Sequence, residues 1–424
     1  MTHILLARLG TGIVVLLVLL SHMSHISHIT ISVAAAPPAL QASPATPIPA
    51  GDDAGSLGAM LRYLPDCPLG AEGAMVVYAN IAAQAAALGV AAPGGPDDVA
   101  RRQAWVTAVM PPMLPQTTGA RWVLPEWRET FGFDLFQVEQ AVEYAAPPFG
   151  VTVVRGSFDP DELRAAWARG GYQPVDLGVG EAYAVREDHE VDFSDPGSRM
   201  ALAYLNVVAL AGDGTLIFSS TRDGVRDALA AAAGERPSFA ERVEIAPIVD
   251  AAPADLVAAL LVSGDLLHAT PDPAAILGEE APEAIATRVA EEQADARSLP
   301  PVAAALLGQT AGALPAQSML ATPVTAPDVP PARLVVVLTS LSPGMAEHAA
   351  AVLAARLATE RTPTRMEGRL ADRPWAELFP ERSVEAMPGE PAVRIELLPA
   401  PDVPPFFLQT MLFQRTPGFL AWLP

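Results

Sequence analysis

Apolar residues along this chain fall into two patterns. Some form short unbroken runs rich in β-branched side chains, and others recur every three or four positions. The clearest succession lies between residues 151 and 233. Val151-Thr-Val-Val-Arg155 reads as a strand ended by Gly156 and Ser157. Asp159-Pro160-Asp161-Glu162 then has the chemistry of a helix start: a capping carboxylate, proline at the first helical position, and Glu162 placed for a capping box. Leu163, Ala166 and Trp167 repeat at helical spacing until Gly170-Gly171. Leu205–Leu210 and Thr215–Phe218 flank Gly212-Asp213-Gly214 as a hairpin, and Thr221 caps a predicted helix over 222–233.

The same reading extends to both sides. Ala74–Tyr78 is a predicted strand, Asn80 caps a helix over 81–88, and Val99–Val109 is helical. Trp122, Trp127, Phe131, Phe133, Phe136 and Tyr144 make an aromatic-dense stretch, expected as a core wedge, with a helix from Leu135 to Tyr144. Ser238 caps a predicted helix from Phe239 to Val249, and Asp255–Val262 is a strand. Thr270–Ser298 has an acidic helical pattern. Further on come a strand at Arg333–Leu338, the cap Ser342-Pro343, a helix at Met345–Ala358 and a strand at Ala392–Leu397. Phe406–Trp422 reads as a terminal hairpin turning at Thr416-Pro417-Gly418.

Strand followed by capped helix thus recurs near residues 74, 151 and 333, which suggests a divergent repeat of strand–helix–hairpin units. The expected class is α+β: antiparallel or mixed sheets with helices packed on one side. Residues 1–36 would be a signal peptide or N-terminal anchor, 37–58 a linker rich in proline and alanine, and 59–318 the main α+β region. Residues 319–332 would be a second linker, rich in proline and threonine, and 333–424 a C-terminal α+β region.

Composition changes this picture mainly at the ends. Arg8, the apolar run Gly10–Leu20 and the small residues Ser32–Ala36 together form a secretory pattern, so the expected address is secreted or extracytoplasmic. The alternative is an anchor over residues 10–33 with the body outside, which would be the chain's only membrane contact. The histidines at 22, 25 and 28 belong to that leader. Gln409, Gln414 and Arg415 exclude a C-terminal anchor. Of 424 residues 51% are hydrophobic, enough for a large core, and the net charge of −22 argues against binding nucleic acid. The single cysteine, Cys67, excludes an internal disulfide.

Motifs that carry chemistry are sparse. No nucleophile elbow, phosphate loop, cysteine pair or zinc-protease helix occurs, and Gly178-Val-Gly180 lacks the third glycine of a dinucleotide fingerprint. His189, His268 and His348 are the histidines left after the leader to serve as a base. The one polar cluster is Glu187-Asp188-His189-Glu190-Val-Asp192-Phe-Ser-Asp195-Pro-Gly197. Asp188, Glu190, Asp192 and Asp195 are its candidate calcium ligands, although the glycine is misplaced and no terminal bidentate glutamate follows.

Val151–Arg155 with Gly156-Ser157-Phe158-Asp159-Pro160 resembles a stretch of certain exported proteins of GC-rich bacteria. So do Gly132-Phe133-Asp134 before Pro147-Pro148, and Asp213-Gly214-Thr215-Leu216. The resemblance covers roughly Met75 to Val262. It implies an export address and repeated strand–helix–hairpin units, with no catalytic residue and no activity to carry over. The reading is an exported or membrane-tethered non-enzymatic protein that acts by binding or surface interaction, without a cofactor, on a protein or cell-envelope partner. The alternatives are an exported hydrolase with a site assembled from distant residues, or a calcium-dependent surface module.

Overall fold

In the computed structural model, the described residues are 56–70, 74–93, 99–109, 114–115, 119–146, 149–212, 214–267, 299–313, 329–362, 370–404, 407–413 and 418–421. They belong to one compact unit. The strands are β1 (Met75–Asn80), β2 (Val138–Ala146), β3 (Phe149–Gly156), β4 (Gln173–Val175), β5 (Glu181–Ala184) and β6 (Val207–Ala211). They continue with β7 (Thr215–Ser219), β8 (Leu256–Ser263), β9 (Ala304–Thr310), β10 (Leu334–Thr339), β11 (Glu381–Ala386) and β12 (Ala392–Leu398). All twelve join one sheet in the order β11-β12-β10-β9-β8-β1-β2-β3-β7-β6-β5-β4. Every pairing is antiparallel.

The β1–β8 pair joins two successions of strands, with Met75 opposite Val262 and Tyr78 opposite Ala259. On one side of it lies the succession β1-β2-β3-β7, and on the other β8-β9-β10-β12. β9 and β10, which flank the 319–332 segment in sequence, are neighbours with Leu334 opposite Gln309.

Helices cover both faces of the sheet rather than the one expected. On the first face α1 (Leu57–Leu61), α7 (Arg222–Ala232) and α8 (Ala246–Ala251) bury Met60, Leu61, Val225, Leu229 and Ile248 with Val76, Tyr78, Val153, Ile217 and Val337. The opposite face carries two cores. In one, α2 (Ile81–Ala87), α3 (Val99–Val109), α4 (Pro125–Phe131) and α5 (Pro160–Arg169) place Ile81, Val109, Trp127, Phe131, Leu163 and Trp167 with Val154 and Phe218. In the other, α9 (Pro343–Thr359), α10 (Trp375–Leu378) and α11 (Phe407–Phe413) pack on Val77, Leu260, Val336 and Ile395. The reason is visible in β10, Leu334-Val-Val-Val-Leu338, where every side chain is buried. A strand apolar on both sides must be covered on both sides.

Two further expectations change. Leu135–Tyr144 is not a helix: a 3-10 turn over Leu135–Gln137 leads straight into β2. Asp134 accepts from Phe136 N at 3.0 Å and donates its own N–H to Gln137 Oε1 at 3.0 Å, which closes the turn after one cycle. β2 then pairs with β1 and β3 on its two edges, and two ladders outweigh a weak helical preference. At the other end, Phe407–Phe413 is helix and Gly418–Leu420 a 3-10 turn, in place of a hairpin. Phe407, Leu408, Met411 and Leu412 share one buried face that fits helical spacing. The turn expected at residues 416–417 and the acidic pattern at 270–298 lie outside the described residues. Ser238 precedes only a 3-10 turn, Phe239–Glu241, before α8 begins at Ala246.

The central helix start is formed by Asp159, which accepts from Asp161 N at 2.9 Å and Glu162 N at 3.4 Å. Glu162 does not complete a capping box. Its two carboxylate oxygens instead take Arg128 Nε and Nη2, each at 3.1 Å, tying α5 to α4. A bidentate pair with a guanidinium is the stronger use of that carboxylate.

Candidate functional site

The acidic loop between β5 and β6 is organised around two arginines. Asp188 Oδ1 accepts from Arg222 Nη1 at 2.9 Å and from Arg222 N at 3.1 Å, and Glu187 reaches the same guanidinium at 3.1 Å. Arg186 lies 3.4 Å from Asp192 Oδ2 and 3.3 Å from Asp195 Oδ2. Asp195 also caps the helix α6 (Pro196–Ala201), accepting from Ser198 N at 2.8 Å, and Glu190 accepts from Glu187 N at 3.2 Å. Asp192 Oδ1 takes the Ser194 hydroxyl at 2.6 Å and its N–H at 2.9 Å; these bonds, then Arg186, hold its carboxyl below the usual range. Among the described residues no group of three His, Cys, Asp or Glu side chains is arranged to hold a metal ion.

The other candidates are scattered. Gly178 and Gly180, both at positive φ, turn the chain between β4 and β5. His189 sits at φ 61 and donates its N–H to Ser220 O, while His348 is exposed on α9. His268 and the leader histidines lie outside the described residues.

An open cleft lies where α7 ends. Thr221 caps this helix by accepting from Gly224 N at 3.0 Å, and Val225, Ala228 and Leu229 anchor it on the sheet. Its last turn closes with Gly234 N donating to Ala231 O and Glu235 N to Ala230 O, Gly234 taking φ +72. That double closure needs a left-handed residue, which glycine supplies without strain. The chain then runs beside the segment after α1. Pro65 and Ser238 form an antiparallel bridge, Asp66 N donates to Pro237 O, and Phe239 N donates to Leu64 O.

This ribbon brings Arg62 to the α7 end and leaves a cleft of about 430 Å³, lined by Arg62, Ala232, Glu235, Arg236, Ser238 and Glu241 among others. Arg236 is held by Asp227, and Glu241 accepts from Ser238 N at 2.8 Å. Arg62 and Glu235 are exposed and, among the described residues, carry no ion pair. None of these residues carries a local sequence signature, because the cleft exists only once 62 and 235 are brought together.

Cys67, on the segment after α1, is half-buried. Burial, then the negative charges of Asp66 and Asp227, push its thiol up to about 11. A thiol that stays protonated at neutral pH is a poor nucleophile.

No family model, no curated protein and no solved structure matches this chain.

Proposed function

We propose that this chain is an exported or membrane-tethered protein that acts by binding a small charged ligand in the cleft between α1 and α7, not by catalysis. The observation that carries this reading is Arg62. The chain has a net charge of −22, and among the described residues many of its guanidinium groups are engaged by carboxylates, as in Arg128–Glu162, Arg164–Glu181 and Arg222–Asp188, whereas Arg62 carries no ion pair and lines the cleft. An arginine left open at a cavity in such a chain is available to a ligand carboxylate or phosphate. Against a cysteine hydrolase stands Cys67, whose thiol burial pushes up to about 11. Against the calcium module stands the engagement of Asp188, Asp192 and Asp195 by Arg222 and Arg186.

The test is a thermal melt of the full chain against a panel of small carboxylates, phosphates, amines and zwitterions, with Arg62→Ala as control. A ligand that raises the melting temperature of the parent and leaves the variant unmoved supports the reading. No response to any member of the panel overturns it. The export address rests on Arg8, the run Gly10–Leu20 and Ser32–Ala36. Among the described residues no helix is long and apolar enough to cross a membrane. Sequencing the N-terminus of the native protein after fractionation tests the address, and intact Met1 on a cytoplasmic species would refute it.

We also propose that the two flanks of the sheet are divergent copies of one unit. In β1-β2-β3-α5 and β8-β9-β10-α9, a three-stranded meander leads into a helix, and a later strand returns beside the third. This makes the starts at 151 and 333 equivalent, whereas the one at 74 corresponds to β8. Superposition of β1–β3 and β7 on β8–β10 and β12 tests it, and failure to align in register would sink the idea.

A further inference from the structure

We infer that the ligand of the cleft is a small zwitterion of amino-acid or dipeptide size, with its carboxylate on Arg62 and its ammonium on Glu235 at the C-terminal end of α7. This rests on the reading of the cleft as a binding site and adds the class of ligand. Two uncommitted charges of opposite sign line the cleft, Arg62 from the end of α1 and Glu235 from the turn after α7. The α7 helix spans 11 residues and presents the negative end of its dipole there, which adds to the attraction for a cation. Arg236 and Glu241 repeat the same pair of signs but are already held, by Asp227 and by Ser238 N. They set the local field while leaving Arg62 and Glu235 to make the contacts.

Charge and size narrow the class further. A chain of net charge −22 repels a free anion on approach, and a lone cation would leave Arg62 unmatched. A molecule with both charges and no net charge avoids both costs. About 430 Å³ is near the lower end of small-molecule sites, and the uncharged lining comes from Ala231, Ala232, Gly234, Pro237 and Ser238, with no aromatic ring to stack a base or a sugar. Small side chains fit such walls better than large ones.

The experiment is isothermal titration of the full chain with alanyl-alanine, N-acetyl-alanyl-alanine and alanyl-alaninamide, which carry both charges, the carboxylate alone and the ammonium alone. Alanyl-alanine should bind saturably, and blocking either end should weaken binding at least tenfold. Arg62→Ala and Glu235→Gln should each weaken alanyl-alanine at least tenfold while leaving the circular dichroism spectrum and melting temperature unchanged, since both side chains are exposed. If blocked and unblocked peptides bind alike, the zwitterion is wrong while the cleft stands. If alanyl-alanine fails but another ligand of the melt panel responds in an Arg62-dependent way, the inferred class is likewise wrong and the binding reading survives. Binding of alanyl-alanine that ignores both substitutions overturns the site itself.

Discussion

The Gln84 side chain and the Gly312 backbone form a two-way amide pair. Gln84 Nε2 donates to Gly312 O at 3.0 Å, and Gly312 N donates to Gln84 Oε1 at 3.2 Å. Gln84 lies on α2 (Ile81–Ala87), directly after β1, and is 1% exposed, while Gly312 follows β9 on the other flank of the sheet. Gly312 has φ +147, and a Cβ there would sit 2.5 Å from Pro330 O and 2.7 Å from Ala332 N. Gln84→Ala should therefore strand two backbone groups and cost about 1–3 kcal/mol in urea unfolding. Gly312→Ala should cost more than that, since it adds a backbone clash to an unfavourable φ. A neutral result for Gln84→Ala would mean that water replaces the amide without loss.

Asp159 caps α5 through two backbone N–H groups. Asp159→Ala should cost about 1 kcal/mol, and Asp159→Asn should retain most of the stability, because an asparagine oxygen caps nearly as well. Equal denaturation midpoints for all three proteins would contradict the role.

Asp134 is 1% exposed and holds Arg102 at 3.1 Å and Arg128 at 3.5 Å while closing the turn into β2. Breaking a buried pair by removing one partner costs about 3–5 kcal/mol. Both arginines keep some contact with water, so Asp134→Ala is expected near 3 kcal/mol, the low end of that range. A calorimetric comparison with Asp134→Asn, which keeps the turn but loses the charge, separates the two contributions.

The Cys67 thiol is raised by burial from its usual 9.0 to about 11, and the Tyr144 hydroxyl, also through burial, from 10.0 to about 12. Groups whose pKa rises on folding favour the native state while they stay protonated. Their contribution is complete below about pH 9 and is lost as the pH climbs through 11. The urea midpoint should fall over that window, and Cys67→Ala should flatten the first part of the fall. Native Cys67 should also resist alkylation at pH 8 and react promptly after unfolding.

Millimolar calcium should leave the melting temperature unchanged relative to chelator, because Arg222 and Arg186 already compensate the loop carboxylates. A rise of several degrees that disappears in the Asp188→Asn, Asp192→Asn double variant would reverse this and restore the calcium module.

What the sequence determined by itself is the local chemistry. Asp159-Pro160, Thr221 and Ser342-Pro343 start helices because a capping oxygen and a pre-set φ act within a few residues. The runs at 151 and 334 are strands because β-branched stretches bounded by breakers have few other uses. Where the outcome depended on distant partners, local pattern misled. Val138–Ala146 is a strand because β1 and β3 flank it, and Glu162 left its capping box because Arg128 of α4 lies within reach. Only the tertiary structure decided that the two flanks meet at β1 and β8 and that Arg62 and Glu235 line one cleft. Each of these brings together residues far apart in the chain, and hydrophobic periodicity carries no information about which distant surface a face will meet.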